Sequence, residues 1–150
     1  MTRKIASPAE IPLEVSDYWH DRWCEILSND YRNEIVAAGL TGTSFTERSP
    51  DAPGGKGGFN FAIDAEGQIA FVAEEGEAVA EYASYEFGYR LLADPEMDAA
   101  PFIEDGSFRI VSGAERWADL MKLRPLFREV FYRAVEQTEK DLDVELPRCW

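Results

Sequence analysis

The sequence predicts an α+β fold in which one sheet is covered on one face by helices. Three observations carry that expectation. Strand patterns are grouped: residues 59–64, 68–73 and 78–83 follow one another with only short turns between them. Helical patterns are segregated to either side, over residues 16–39 and 112–138. A last short strand, 107–111, stands directly before the second helical stretch and must join the same sheet. Strands in a block and helices outside it argue against a parallel α/β fold, in which the two alternate. With 150 residues the chain is expected to be one domain with room for a real core.

Residues 1–15 carry Pro8 and Pro12 with little periodicity and read as an N-terminal arm extended along the surface. Ser16 is the expected N-cap of the first helix, and Asp17 lies in its first turn, where a carboxylate meets the positive end of the helix dipole. Trp19, Trp23, Ile26 and Leu27 share one face, Tyr31, Ile35 and Val36 continue it, and Gly39 is a stop signal. This aromatic segment, 16–40, must pack on the body of the domain, on a partner or over a ligand. Pro50, Pro53 and the glycines that follow make residues 41–58 a loop. Gly54-Gly55-Lys56-Gly57-Gly58 is not a phosphate loop, because no Ser or Thr follows Lys56 and a strand, not a helix, comes next.

Residues 59–64 alternate, with Phe59, Phe61 and Ile63 inward. The turn at 64–67 makes 68–73 antiparallel to them, and 78–83 reads as the third strand of a meander. Ser84 is placed to cap a helix over 85–92, and Asp94-Pro95 ends it. Residues 96–100 form a helical turn. In the strand 107–111, Phe108 and Ile110 lie on one face. Ser112 and Glu115 are spaced as a capping box for a long helix. Trp117, Leu120, Met121, Leu123, Phe127, Val130 and Phe131 form its apolar stripe, and Pro125 kinks it near Met121 and Leu123. The domain therefore runs over 16–138, with a tail at 139–150 that is charged and then apolar.

The net charge of −14 excludes most phosphate-backbone and anionic-membrane partners, and no Lys/Arg cluster offsets it, so no nucleic acid is expected to bind. No stretch approaches the length of a membrane span, and the first 15 residues lack the apolar run of a signal peptide. A soluble cytoplasmic protein without stable membrane insertion is the expectation. Two cysteines make no disulfide scaffold: Cys24 reads as a small buried hydrophobe and Cys149 as a free thiol.

Within residues 58–127 the order of features is similar to the type-2 sterol-carrier-protein family of lipid-binding domains. A meander of strands leads to Ala99-Ala100-Pro101-Phe102-Ile103, the turn glycine Gly106, the strand Ser107-Phe108-Arg109-Ile110-Val111, Gly113, and the helix with Leu120-Met121-Lys122-Leu123. Ser107 and Ala114 depart from the family pattern, which often has a basic and an acidic residue there. The resemblance implies a single mixed, mostly antiparallel sheet of about five strands, covered on one face by helices, with an apolar tunnel between the layers. Four strands are placed above, and the fifth belongs near Leu40–Phe45 or near Val144–Leu146. The resemblance also implies binding and carriage of a lipid, fatty acyl or sterol-like molecule, with no cofactor, no metal and no catalytic residue.

The side chains expected to line that tunnel are Phe59, Phe61, Phe71, Tyr82, Phe87, Leu91, Met97, Phe102, Phe108, Trp117, Met121, Phe127 and Phe131. Each is first a core candidate; the flexible and aromatic groups on the covering helices carry the pocket reading. Two alternatives remain open. One is an enzyme acting on a hydrophobic metabolite through a buried carboxylate, for which Glu81 is the candidate, although opposite to Tyr82 it is expected to face solvent. The other is an interaction module that forms a homodimer through Trp19 and Trp23. His20, the single histidine, lies near Asp17 and Cys24 on one helix face, but one imidazole makes a poor metal site and an exposed, incidental role is expected.

Overall fold

A computed structural model describes residues 1–94 and 96–148, so the stop expected at Pro95 and the free thiol at Cys149 lie outside the described residues. In chain order the elements are β1 (Arg3–Lys4), α1 (Leu13–Asp30), α2 (Arg32–Ala37), β2 (Thr43–Arg48), β3 (Gly58–Ile63), β4 (Ile69–Phe71) and β5 (Ala78–Tyr82). Then come α3 (Tyr85–Ala93), α4 (Ala100–Glu104), β6 (Phe108–Ser112), α5 (Ala114–Met121), α6 (Arg124–Leu142) and β7 (Val144–Glu145). The fold is α+β, with one mixed five-stranded sheet in the order β4-β3-β2-β5-β6. Within this sheet β2 and β5 pair in parallel, and the other three pairings are antiparallel.

The stretch expected to be a loop at 41–58 contains the central strand. β2 puts Thr43, Phe45 and Glu47 on the helix-covered face, opposite Ile63, Phe61 and Phe59 of β3. A glutamate at an inward position breaks the apolar alternation by which a strand is recognised. The meander is β2-β3-β4, and β5 is not its third strand. Because β2 occupies the side of β3 away from β4, β5 must cross the outer face to reach the vacant side of β2. Gly76 makes that crossing close: a Cβ there would lie 2.4 Å from the backbone nitrogen of Phe45. The crossing is pinned where Gly76 N–H donates to Thr46 Oγ1 at 2.6 Å and Glu77 N–H to Ser44 Oγ at 3.0 Å.

Helix ends follow local chemistry in some places and not in others. Ser84 caps α3, its Oγ accepting from Phe87 N–H at 3.2 Å, as expected. Ser16 is not a cap. α1 starts after Pro12, a residue already set at φ −60°, and Ser16 lies buried inside the helix. The capping box at Ser112 and Glu115 does not form, because Ser112 Oγ–H donates to the carbonyl of Glu77 and Gly113 occupies the N-cap at φ +70°. A side chain at Gly113 would meet the Cβ of Ala78 at 2.6 Å. Pro125 does not kink one long helix; it lies in the first turn of a second one, α6, where its missing N–H is not needed. The helical turn expected over 96–100 is displaced to α4, with Asp98 accepting from Ala100 N–H at 3.0 Å.

The core fills the space between the sheet and the helices. Trp19, Trp23 and Leu27 of α1 meet Phe127, Val130 and Phe131 of α6 above Phe45, Phe59 and Phe61. The aromatic face of α1 is thus used within the chain: Trp19 is 1% and Trp23 5% exposed, so neither indole is available to a second copy. Phe108 is buried while Ile110, on the same face opposite Ala80, is exposed because β6 is the sheet's edge. The described segments before α1 and after α6 dock on the domain. β1 pairs in parallel with β7, Ile5, Ile11 and Leu146 are buried, and Tyr89 Oη–H donates to the carbonyl of Pro147 at 3.1 Å. Among the described residues no helix is long and apolar enough to cross a membrane.

Candidate functional site

The site is built around Glu47. It is the penultimate residue of the central strand, with Phe59 opposite it on β3 and Ala80 on β5, and so points at the helices. Among the described residues no group donates a hydrogen bond to its carboxylate and no cation pairs with it. Burial pushes its carboxyl up from the ordinary 4.5 to about 7. Glu47 is half-buried rather than fully enclosed.

Three cavities of about 20 Å³ each border Glu47. The first is walled by Trp23, Phe61, Tyr82, Leu91, Met121, Arg124 and Phe127, among others. Trp19, Ser49, Tyr82, Tyr85 and Tyr89 wall the second, and Trp19, His20, Trp23, Phe59 and Phe71 the third. Leu92 of α3 borders all three. Each is large enough for one water and not for an acyl chain. Among the described residues the expected apolar tunnel between the layers is not seen; aromatic side chains pack against one another there. Around these cavities the buried polar atoms Trp23 Nε1 and Ser49 Oγ make no hydrogen bond, while Trp19 Nε1 and Tyr85 Oη make none of ordinary geometry although Trp19 and Ser16 lie close enough to the Tyr85 phenol to interact with it.

His20 is not an exposed, incidental residue. Its ring is stacked between Trp19, at 3.9 Å between centroids, and Phe59, at 4.4 Å. Nδ1 lies 2.6 Å from the carbonyl oxygen of Ser16. A carbonyl only accepts, so Nδ1 carries the proton and Nε2 presents a lone pair. Burial holds the imidazole neutral, its pKa pushed down to about 3. His20 also separates two spaces: with Phe59 and Phe71 it forms both the wall of an inner cavity and the floor of a surface cleft of about 490 Å³. The cleft's rim carries Asp17, Asp21 and Lys56, with Lys56 paired to Asp17 at 3.3 Å.

Of the side chains expected to line a pocket, Phe59, Phe61, Phe71, Tyr82, Leu91, Met121 and Phe127 border these cavities. Phe87, Phe102 and Phe108 form a separate aromatic cluster beside Tyr82, with Phe87 and Phe102 at 4.7 Å. Trp117 packs on Phe45, Phe131 on Trp19 and Tyr89, and Met97 is partly buried at the core's margin. Glu81 faces outward, as expected. Arg109 Nη2 at 2.6 Å and Arg48 Nη1 at 3.2 Å hold its carboxylate below the usual range, so it is no interior base. Glu47, His20, Trp19, Trp23, Ser49 and Tyr85 are the site residues that pattern reading missed. The signal for Glu47 was its position two residues after Phe45, legible once Thr43–Arg48 is read as a strand. No group of metal-ligating side chains gathers among the described residues.

No protein-family model matches the sequence, and no curated protein matches it. The fold, by contrast, has clear counterparts among solved structures. A crystal structure of sterol carrier protein 2 matches with a TM-score of 0.52 at 16% identity, covering 77% of this chain and 97% of that one. A hypothetical protein from Thermus thermophilus, described as possibly a sterol carrier protein, matches at 0.51 and 18% identity over 85% and 94%. The sterol carrier protein domain 2 of Helicoverpa armigera matches at 0.50 and 16% identity over 76% and 91%. The arrangement of the five strands and their helices is thus the fold of the sterol carrier protein 2 domain.

Proposed function

We propose that this chain binds a hydrophobic small molecule between its sheet and its helices and carries it. The observation that supports this most directly is the set of three adjoining voids, with apolar walls and unpartnered polar atoms, at the centre of the domain. Folded proteins give nearly all buried polar groups a partner, and a cluster of exceptions at one place calls for an explanation. A ligand whose polar end meets them, replacing single waters, is that explanation. The likeness of fold to proteins described as sterol carriers supports the same reading.

Binding requires the voids to merge. They share Glu47 and Leu92, so rotation of Leu92 and of the rings between them joins the space without unfolding a helix. Each methylene then buried contributes ~0.8 kcal/mol, against the costs of association and of opening the layer. The proposed walls are the thirteen apolar residues named from the sequence, seven at the voids and six behind them. Delivery to or from another protein suits the acidic surface better than docking on anionic lipid, and the cytoplasm is the proposed compartment.

Trp19 and Trp23 make the site its own reporter. Titrating dodecanol into the protein should give a saturable change in tryptophan emission and a one-to-one adduct in native mass spectra. In Gly88→Leu a Cβ makes ordinary contact with the Tyr82 ring at 3.6 Å, while the longer side chain enters the voids that Gly88 borders. That variant should keep its circular dichroism and lose the response. Emission that never changes, or a response unaltered in Gly88→Leu, would refute the proposal.

A further inference from the structure

A protein that only stores apolar molecules has no use for a carboxylate on the inward face of its central strand. Replacing it with an apolar residue would remove a charged group from a site where nothing compensates it. What surrounds Glu47 says which ligand would compensate it. From α1 come the indoles of Trp19 and Trp23 and the imidazole of His20, which is neutral. From the sheet come Phe59, Phe61 and the phenol of Tyr82. From α3 come Tyr85 and Tyr89, and burial keeps the Tyr82 and Tyr85 phenols protonated. Among the described residues the one cation bordering any of the three voids is Arg124 of α6; its Nη2 donates to the carbonyls of Asp94 at 3.0 Å and Met97 at 2.5 Å, its buried Nε makes no hydrogen bond, and it forms no ion pair with Glu47.

A carboxylate surrounded by aromatic side chains is a receptor for an organic cation. The carboxylate supplies the opposite charge, and the surrounding rings add cation–π attraction. The route to it has the same sign. Asp17, Asp21 and Lys56 stand on the rim of the outer cleft, Lys56 paired to Asp17 so that the rim stays net negative, and the cleft's floor of His20, Phe59 and Phe71 is also the wall of an inner void. The whole chain carries −14, which concentrates cations and repels anions at its surface.

Resting on the binding reading above, we propose that the carried molecule is a hydrophobic amine, held as its ammonium ion against Glu47 in an aromatic box and admitted through the acidic cleft at His20. A fatty acid would bring a second carboxylate to an uncompensated first. A neutral alcohol would leave the charge uncompensated.

The experiment compares three probes of one chain length, dodecylammonium, dodecanol and dodecanoate, by titration calorimetry on the intact chain. At about pH 8.5, where Glu47 is ionised, dodecylammonium should bind at least about tenfold more tightly than either other probe. Lowering the pH to about 5.5 should weaken it about tenfold and leave dodecanol unchanged. Glu47→Gln keeps the surface charges that could hold an amine loosely. It should lose about tenfold in dodecylammonium affinity with dodecanol unaffected. If that variant fails to fold, the pH dependence of the wild-type chain decides alone. Dodecanol binding without any preference for the amine, or a preference for dodecanoate, overturns this inference and spares carriage. Failure of all three probes to bind overturns both.

Discussion

Glu47→Gln should stabilise the protein, and by an amount that depends on pH. In the folded chain the carboxyl is pushed from 4.5 to about 7 by burial alone. Between those two values the unfolded chain ionises Glu47 while the folded chain keeps it protonated. Stability is therefore fully present below about pH 4.5, falls as pH rises, and levels off above about pH 7. Each pH unit is worth about 1.4 kcal/mol, so the span of about 2.5 units removes roughly 3 kcal/mol. Glutamine has no such titration. Urea unfolding of both proteins at several pH values between about 4.5 and 8.5 isolates the effect, because every other titrating group cancels in the difference. The gap between variant and wild type should widen by roughly 3 kcal/mol across that range in favour of Gln. A gap that stays constant would mean that Glu47 is solvated or paired in the folded chain, and the account of the site would fail. This measurement needs no ligand, so it tests the buried carboxylate separately from what it binds.

Two further changes test other parts of the argument. His20 works with the opposite sign: its folded pKa is depressed from 6.5 to about 3, so the stability it contributes is present above about pH 6.5 and lost as pH falls toward 3. His20→Phe should gain on the wild type by up to about 5 kcal/mol over that window, read from the same urea midpoints. Gly76→Ala puts a methyl 2.4 Å from a backbone nitrogen of the central strand, which cannot yield without moving the sheet. It should cost on the order of 2–3 kcal/mol and lower Tm by several degrees, without altering the cavities.

The sequence by itself determined the α+β class, because grouping of strand and helix patterns is a property of chain order. It determined the inward faces of β3 and the Ser84 cap, because alternation and capping act over a few residues. Seven of the thirteen side chains named for a pocket border the interior voids and six lie elsewhere, because an inward apolar position in a two-layer domain fixes burial but not which space is filled. The family resemblance supplied the five-stranded layout that the structure shows. Where long-range pairing decides, local pattern was silent or misleading. Thr43–Arg48 resembles a polar loop until Phe59, Phe61 and Ile63 stand opposite it and show which of its residues face inward. Glu81 and Glu47 are both glutamates in strands, yet Arg48 and Arg109 draw one to the solvent face while register turns the other into the core. The histidine on an aromatic helix became a wall between cleft and cavity only when Phe59 arrived from another strand to stack on it. The tertiary structure alone decided the electrostatics of the interior, because burial and partnership are set by neighbours distant in the chain, and those govern whether a carboxylate is an ordinary surface charge or an anchor.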